Sequence, residues 1–304
     1  MKKFIHRLAY PLRASVLAGT LGFALMLWVT AAPVFSGEQS PTLFQNWDSD
    51  GGFHVVVPIY NDAGLQRVRA ELKGLLRPGD VFLLISGNYK EVDRRWLSNT
   101  AKTIKKEFPS VAVVAGTSGV GNILQMASGV ESPIEGIVYI YEPNFPREPE
   151  FTWNFETTTR IFEWVGKAVH KRGFVFIGKP TGRPLLQTSL QRYRWNYCSL
   201  GATADFLFVQ TQTYCKKGPS VFTRAVEKVM GQYEKAGKSA YKWIPQVTVD
   251  PEAPNGTSPA NAAECARIAK DKGLRGVLMW WSPSYPKEAV EFLRLLGRTP
   301  EPAF

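Results

Sequence analysis

The sequence contains few of the residues that most often bind metal ions through their side chains. Its 304 residues include three cysteines and three histidines. Cys198, Cys215 and Cys265 form no C-x-x-C pair, and the histidines are isolated from one another along the chain. Zinc sites group such ligands closely, so the sequence argues against a zinc centre. We therefore predict that the protein uses no metal and no cofactor.

Motifs for binding nucleotides and nucleic acids are also missing. The first predicted strand runs into Y-N-D-A-G at residues 60–64, which is not a glycine-rich phosphate loop. The formal net charge of +11 is accompanied by no nucleic-acid-binding motif, so we predict no nucleic-acid partner. The basic residues beyond the first 36 are scattered at positions that helices would expose. Solvated helix surfaces explain them, and attraction to an anionic polymer or to acidic lipid is the alternative.

The first 36 residues differ from the rest of the chain. An uncharged apolar run at residues 14–35 follows four basic residues, Lys2, Lys3, Arg7 and Arg13. This pattern is typical of a secretory signal, here with cleavage after Ser36. The length of the run leaves an uncleaved membrane anchor as the alternative. We expect a secreted or periplasmic protein, or a membrane-anchored one whose remaining residues lie outside the cytoplasm.

The residues after this leader carry two further expectations. Residues 37–52 are polar and rich in turn-forming residues, which predicts a linker or an irregular amino-terminal cover. Export would permit a disulfide bond, and we favour the pairing of Cys215 with Cys265. An odd number of cysteines leaves one thiol over.

From residue 53 onward, short apolar runs alternate with segments of helical periodicity. Runs rich in β-branched and aromatic residues predict eight strands, at residues 54–60, 80–85, 111–115, 136–142, 174–177, 205–210, 243–249 and 276–281. Helices are predicted after them, at residues 62–76, 91–108, 122–127, 155–172, 185–197, 220–236, 259–272 and 287–296. This count predicts an α/β fold, a (β/α)8 TIM barrel, as a single domain over residues 53–304. A doubly wound open sheet is the alternative, and Pro245 is unusual for a central strand.

The fourth predicted strand ends in a carboxylate. Residues 135–144 read E-G-I-V-Y-I-Y-E-P-N, an apolar run that ends at Glu142 and is broken by Pro143. Alternation along a strand places Val138, Ile140 and Glu142 on the same face. A carboxylate at the end of a strand that is buried on both faces is costly unless it has a use. Glu142 is therefore our leading catalytic candidate.

Polar and aromatic residues follow the predicted strands, where a barrel builds its active site. Such a mixture of amides, hydroxyls and aromatic rings suits a carbohydrate. The candidate substrate-binding residues are Tyr60, Asn88, Asn144, Lys179, Gln210, Gln212, Trp280 and Trp281. Glycoside cleavage needs two carboxyl groups, which we assign to Glu142 as proton donor and to Asp250 after strand seven. The structural alternatives are an ion pair or loop amides for Glu142, a turn for Asp250, and packing for the two tryptophans.

Two short motifs resemble those of known families. Residues 135–142 are similar to the strand-four motif D-G-x-D-x-D-x-E of the family 18 glycoside hydrolases, with Val138 and Ile140 at the two inner aspartate positions. Residues 141–144, Y-E-P-N, resemble the N-E-P motif of the clan A retaining glycosidases. The last strand, with its glycine and tryptophan, looks like the final strand of both groups. The resemblance implies a glycoside hydrolase-like barrel with Glu142 as the catalytic acid.

The sequence supports three functional hypotheses. The first is an exported glycoside hydrolase that acts on a polysaccharide or an oligosaccharide, with Glu142 as general acid. The second is a catalytically inactive, carbohydrate-binding barrel of the cell envelope. The replaced inner aspartates favour the second hypothesis, because in family 18 enzymes the aspartate two residues before the glutamate orients the substrate's acetamido group. The third is a barrel enzyme of another class, such as a lyase or a phosphodiesterase.

Overall fold

Eight parallel strands form a closed barrel in the computed structural model, which describes Trp47 and residues 52–85, 92–143 and 148–300. Each strand pairs with the next one in the sequence, and the last strand returns to pair with the first. The strands are β1 (His54–Ile59), β2 (Val81–Ile85), β3 (Ala112–Ser118), β4 (Gly136–Tyr141), β5 (Val175–Pro180), β6 (Phe206–Val209), β7 (Trp243–Thr248) and β8 (Gly276–Trp280). This arrangement confirms the predicted (β/α)8 TIM barrel.

Helices follow the strands and pack against the outside of the barrel. Within the described residues they are α1 (Asp62–Arg67), α2 (Arg94–Glu107), α3 (Val120–Gly129), α4 (Phe155–His170), α5 (Thr188–Gln191), α6 (Tyr197–Gly201), α7 (Gln212–Lys216), α8 (Pro219–Lys235), α9 (Pro259–Asp271) and α10 (Pro286–Leu295). Helix α1 continues into a π-helical segment, Val68–Leu72, and a 3-10 turn, Lys73–Leu75. In this described part of the chain, no helix combines the length and the apolar character that crossing a membrane requires.

The predictions for the amino-terminal segments fall on residues that the structure does not describe. The predicted leader, residues 1–36, lies wholly outside the described residues. The predicted linker, residues 37–52, also lies outside them, apart from Trp47 and Gly52. The signal or anchor and the linker therefore stay predictions.

The predicted helix at residues 185–197 is not continuous. The segment holds the end of a 3-10 turn, Arg183–Leu185, then the short helix α5 and an irregular stretch before α6. Arg194 has a φ of 51°, a left-handed conformation that a right-handed helix does not contain. The indole N–H of Trp195 donates to the carbonyl oxygen of Trp153 at 2.9 Å, a contact across 42 residues of the chain. Long-range contacts of this kind replace the expected helix.

Pro245 lies inside β7 at a position that tolerates a missing N–H group. It is the strand partner of Val209 in β6. The next N–H group, that of Gln246, donates to the Thr211 hydroxyl on the β6 side, so the nitrogen of Pro245 faces β8. Pairing of β7 with β8 begins at Gln246, opposite Leu278. Pro245 therefore precedes that ladder and interrupts no part of it.

Strand alternation divides the buried apolar residues into two clusters. The inner cluster fills the barrel and includes Val56, Val114 and Ile244. The outer cluster lies between the barrel and the helices and includes Val57 and Val247. Because both faces of every strand are buried, the strands read as continuous apolar runs in the sequence.

Trp47 closes the amino-terminal end of the barrel. Its side chain is fully buried in the inner cluster. The ring stacks on His54 with centroids 5.0 Å apart and meets Phe206 edge-on at 5.3 Å. The indole N–H donates to the carbonyl oxygen of Gly79 at 2.8 Å. Since this end is plugged by a packed side chain, a ligand must approach from the end at which the strands terminate.

Cys215 in α7 and Cys265 in α9 form a disulfide bond, which confirms the pairing favoured from the sequence. Their Cα atoms lie 6.1 Å apart, and 50 residues separate them in the chain. Cys198 is buried and remains a free thiol. The disulfide fastens α7, which directly follows the end of β6, to the helix that follows β7.

Asp80 forms a buried ion pair at the amino-terminal end of the barrel. Its carboxylate accepts hydrogen bonds from the backbone N–H groups of Val55 and Arg77, each at 2.8 Å. The Arg298 guanidinium donates to both carboxylate oxygens, with Nη2 to Oδ1 at 2.9 Å. Asp80 is fully buried, and the Arg298 side chain is only 7% exposed. This pair ties the end of the described chain to the start of the barrel.

Replacing Asp80 with asparagine should destabilise the fold, because Arg298 would remain buried without its counter-charge. We expect Asp80→Asn to lower the free energy of unfolding by about 3–5 kcal/mol, measured by denaturant titration with the disulfide intact. Glu156→Gln is the matched control, since Glu156 pairs with Arg160 where both side chains are about three-quarters exposed. The control should change the free energy by less than about 1 kcal/mol. Equal stability of the two variants would contradict the assigned role of Asp80.

Candidate active site

Inward-facing residues near the carboxyl ends of the strands form successive levels. In a tilted, staggered barrel each level takes one side chain from every second strand. The observed registers give a level that we call the floor, made of Pro58, Gly116, Lys179 and Gln246. The next level toward the open end holds Ile85, Ile140, Gln210 and Trp280, and we call this level, together with the strand ends beyond it, the mouth. Beyond it the strand ends present Tyr60, Ser118, Thr181, Thr248 and Glu142.

Glu142 directly follows β4 and continues the inward-facing series of Val138 and Ile140. The side chain is partly exposed, unlike the strand residues that precede it. The amide Nε2 of Gln210 donates to Glu142 Oε1 at 2.6 Å, so a neutral group from β6 holds the carboxyl group in place. Oε2 of Glu142 makes no hydrogen bond to any residue in the described ranges. This oxygen can therefore carry a proton or contact a ligand.

Lys179 is a buried cation on β5, between the strands that supply Glu142 and Gln210. Its side chain is 1% exposed, and its Nζ lies 5.1 Å from the centroid of the Trp280 ring. It has no hydrogen-bond or ion-pair partner among the described residues. Burial lowers the pKa of Lys179 to about 8, and the charge of Glu142 offsets only part of that effect. Lys179 therefore has a place in the candidate site, although it lies deeper than its position near the strand end suggested.

Gln246 shares the floor with Lys179 and was missed from the sequence. Its side chain is 3% exposed, and its Oε1 is buried without a hydrogen-bond partner in the described structure. Within the described residues Gln246 forms hydrogen bonds through its backbone alone. Its N–H donates to the Thr211 hydroxyl at 3.0 Å, and its carbonyl oxygen accepts from the same hydroxyl at 2.9 Å. Gln246 lies inside β7, whereas the site residues predicted from the sequence follow the ends of the predicted strands. A lone polar residue at an inward position of an apolar run was the signal that could have found it.

The two adjacent tryptophans of the last strand occupy different environments. Trp280 points into the barrel and meets Tyr60 edge-on, with ring centroids 5.1 Å apart. Trp281 is 2% exposed and packs in the outer cluster, where its indole N–H donates to the carbonyl oxygen of Pro58 at 2.9 Å. Tyr60 and Trp280 thus belong to the mouth, and Trp281 serves the packing of the barrel wall.

The other predicted residues lie at the rim or outside the described ranges. Gln212 begins α7, is half-buried, and has a buried Oε1 without a hydrogen-bond partner in the described structure. Asp250 lies in the turn after β7, and its Oδ1 accepts from the backbone N–H of Glu252 at 3.0 Å. No hydrogen bond or ion pair joins Asp250 to Glu142 among the described residues. Asn88 and Asn144 lie outside those residues, so their binding roles stay predictions.

Glu150 anchors the end of the loop between β4 and α4. Its carboxylate accepts from the backbone N–H of Val120, at the start of α3, at 2.6 Å and from the Tyr139 hydroxyl at 3.1 Å. Burial raises the pKa of Tyr139, and the charge of Glu150 raises that pKa further. The phenol therefore stays protonated and continues to donate its hydrogen bond to Glu150. Glu148 lies close to Gly119. Burial raises the pKa of Glu148, and the charge of Glu150 adds to this effect. Neither acid is among the site residues predicted from the sequence.

Comparison with known proteins gives structural likeness without sequence likeness. No family model matches the chain, and no curated protein matches its sequence. A family 18 chitinase from Pseudoalteromonas aurantia aligns with a TM-score of 0.58 and 15% identity, over 80% of this chain and 98% of that one. The glycoside hydrolase domain of PgaB from Bordetella bronchiseptica aligns with a TM-score of 0.54 and 10% identity, over 80% and 98%.

A third similar structure carries a ligand. It is a catalytic domain of an Ostrinia furnacalis chitinase, crystallised as a mutant in complex with an N-acetylchito-oligosaccharide. The alignment has a TM-score of 0.53 and 11% identity, over 82% of this chain and 98% of that domain. At such identities the likeness concerns the fold, and this chain has a barrel like those of family 18 chitinases and related glycoside hydrolases.

The burial of Lys179 predicts a stability penalty that depends on pH. Its pKa in the folded protein is about 8, below the ordinary value of 10.5. Between pH 8 and pH 10.5 the unfolded chain binds more protons at this group than the folded protein does, so the free energy of unfolding rises with pH across that window. Below pH 8 the burial of the charged lysine lowers the free energy of unfolding by its full amount. We expect Lys179→Met to be more stable than the unchanged protein at pH 7, by up to about 3 kcal/mol.

Denaturant titrations of both proteins from pH 7 to pH 10 will check this prediction. The stability difference should shrink as the pH rises through 8 toward 10. Lys238→Met, at an exposed position, is the control and should leave the free energy of unfolding within about 0.5 kcal/mol at each pH. A Lys179→Met protein that is less stable at pH 7, with a difference that does not vary with pH, would refute the penalty.

Proposed function

We propose that this protein is an exported glycoside hydrolase that acts on a polysaccharide or an oligosaccharide, with Glu142 as its general acid. The observation that carries the proposal is the position of Glu142 at the mouth. It ends the fourth strand, faces inward, is partly exposed and is held through Oε1 by Gln210. Catalytic groups of TIM-barrel enzymes stand at such strand ends.

The chemistry assigned to Glu142 is donation of a proton to the glycosidic oxygen as the bond to the leaving sugar breaks. A neutral amide on Oε1 leaves Oε2 to carry that proton toward the substrate. Trp280 and Tyr60 supply aromatic surface at the mouth, which suits the C–H-rich face of a sugar ring. The similar barrels of chitinases, one with a bound chito-oligosaccharide, support a carbohydrate as the ligand.

The second carboxyl group of the reaction is assigned to Asp250. It follows β7 and is partly exposed at the rim. A nucleophile, or a base that activates a water molecule, must act on the face of the sugar ring opposite the leaving group, and the separation of the two carboxyl groups sets the stereochemical outcome. Asp250 is the acid nearest to the end of β7 in the sequence, and Glu252 lies two residues beyond it.

Export is part of the proposal and has its own support. The basic and apolar leader is typical of secreted proteins. The disulfide between Cys215 and Cys265 fits an oxidising compartment outside the cytoplasm. Contact with a membrane would occur only through the leader, if it stays uncleaved.

A catalytically inactive, carbohydrate-binding barrel of the cell envelope is the second candidate. The inner positions of the strand-four motif are the apolar residues Val138 and Ile140, both buried in the inner cluster. Glu142 is also the only carboxylate among the described inward-facing residues of the floor and the levels above it. Binding without cleavage would need the mouth and its aromatic rings but no second acid.

Hydrolysis assays will decide between these two functions. We expect the purified protein to release reducing ends from at least one member of a polysaccharide panel. Glu142→Gln should lower that rate by about 10²–10⁴-fold, because it keeps the shape and the Gln210 contact but removes the acid. The exposed Glu156→Gln substitution should leave the rate unchanged.

The variants also separate the roles of the two acids. Asp250→Asn should lower the rate if Asp250 is the nucleophile or base, and full activity in this variant would assign that role to another group. Cleavage that survives in Glu142→Gln would remove Glu142 from the chemistry. Binding of one glycan without cleavage of any would favour the inactive barrel.

A further inference from the structure

The floor of the mouth holds a positive charge that the proposed reaction does not use. We infer that the sugar bound at the floor carries an anionic group, a carboxylate, which pairs with the ammonium group of Lys179. This inference rests on the proposed function and names the class of its substrate as an acidic glycan. Lys179 would act as a residue that recognises the substrate, beside the proton donor Glu142.

The burial of Lys179 is the first observation behind this inference. The side chain is 1% exposed and begins on the inner face of β5, above Ile177. Lysine almost never occupies such a position without a partner. No hydrogen bond or ion pair reaches its Nζ from the described residues. A buried ammonium group in that state is costly, and ligand-binding sites are where proteins retain such groups.

The groups near Lys179 compensate this cost only in part. The ring of Trp280 lies 5.1 Å from Nζ and provides a cation–π contact. Glu142 provides an attractive charge from β4, but the effect of burial on Lys179 outweighs it. A structural ion pair would place the two groups in direct contact, and their nitrogen and oxygen atoms form no such pair within 4.0 Å in the described structure. The protein therefore does not fully neutralise the buried ammonium group, and a ligand can supply the missing negative charge.

The reaction itself removes the remaining counter-charge. A general acid must be protonated before it acts, so Glu142 is neutral in the reactive state. Its partner Gln210 is neutral in every state. Asp250, the second carboxylate of the proposed reaction, lies beyond these levels in the turn after β7, and the charge that offsets the burial of Lys179 is that of Glu142. With Glu142 neutral, the described inward-facing residues of the floor and the mouth contain one charge, that of Lys179. A carboxylate on the substrate would neutralise it at the moment when Glu142 cannot.

Gln246 adds a second group suited to the same ligand. It lies at the level of Lys179 and is only 3% exposed, and its Oε1 has no hydrogen-bond partner within the described residues. An amide acceptor in this position can receive a hydrogen bond from a sugar hydroxyl. A cation and an amide together match a ring that presents a carboxylate next to hydroxyl groups.

Two kinds of sugar offer this combination. Uronic acids carry the carboxylate on the ring itself, and muramic acid carries it on a lactyl ether. The shared chemistry is a carboxylate within reach of a ring hydroxyl, and the experiment separates the two sources.

Calorimetric titration with matched ligand pairs tests the inference. The protein is Glu142→Gln, which cannot donate the proton and represents the neutral acid of the reactive state. One pair is an oligogalacturonate and its neutral methyl ester. The other is a disaccharide of N-acetylglucosamine and N-acetylmuramic acid and the chito-oligosaccharide of equal length. We expect one acidic ligand to bind at least about tenfold more tightly than its neutral partner.

The matched variant is Lys179→Met in the same background, which should abolish the preference by weakening the binding of the acidic ligand. Lys238→Met is the control and should preserve the preference. Titrations of the protein that retains Lys179 suffice to refute the inference, whether or not Lys179→Met folds. Equal affinity for the members of both pairs, or no binding of any of the four ligands, would overturn it.

A preference that persists in Lys179→Met would also overturn the inference, because the anion would then bind elsewhere. These failures are separate from failure of the proposed function. Cleavage of a neutral glycan that Glu142→Gln abolishes would leave the glycoside hydrolase intact and reject only the acidic substrate.

Discussion

Closure of the barrel is the constraint on which the rest of the structure depends. Because β8 pairs with β1, every strand is hydrogen-bonded on both sides, and each residue must point either into the barrel or toward the helices. Lys179 and Glu142 are inward residues for this reason, and so is Gln246. The polar groups of the floor and the mouth therefore come from separate strands, brought together by the register of the sheet and not by any continuous sequence motif.

The two ends of the barrel show a division between stability and function. Trp47 fills the amino-terminal end, and the ion pair of Asp80 with Arg298 binds the chain together there. Apolar side chains occupy the levels above it up to the floor. At the floor this pattern is broken by Lys179 and Gln246, whose buried polar groups weaken the fold. Proteins keep such departures from good packing where a ligand uses them, and the well-packed base supplies the stability that permits them.

The sequence predicted the strands well because residues buried on both faces form unbroken apolar runs. It also placed Glu142 at a strand end, since a charge that terminates such a run is conspicuous. Trp280 and Trp281 were both proposed as ligand contacts, although alternation with Leu278 would have separated them. Gln246 was missed because it lies inside β7, two positions before the last residue of that strand, Thr248. The prediction of a helix at 185–197 was wrong for another reason. The conformation of this segment depends on contacts such as that of Trp195 with the Trp153 carbonyl oxygen, which no local sequence pattern encodes.

The motif of the fourth strand acquires a physical meaning once its neighbours are known. In the family 18 pattern two aspartates precede the glutamate at inward positions, and here those positions are Val138 and Ile140. The strand partner of Ile140 in β5 is Lys179. Two inward carboxylates are thus absent where an inward ammonium group is present on the adjacent strand. Acids at these positions would give Lys179 internal partners, whereas the apolar side chains present here leave its charge without one among the described residues. The apolar residues at the two motif positions and the buried lysine on the adjacent strand therefore act in the same direction, because the charge beneath Glu142 in this chain is positive where the family 18 pattern has two acids.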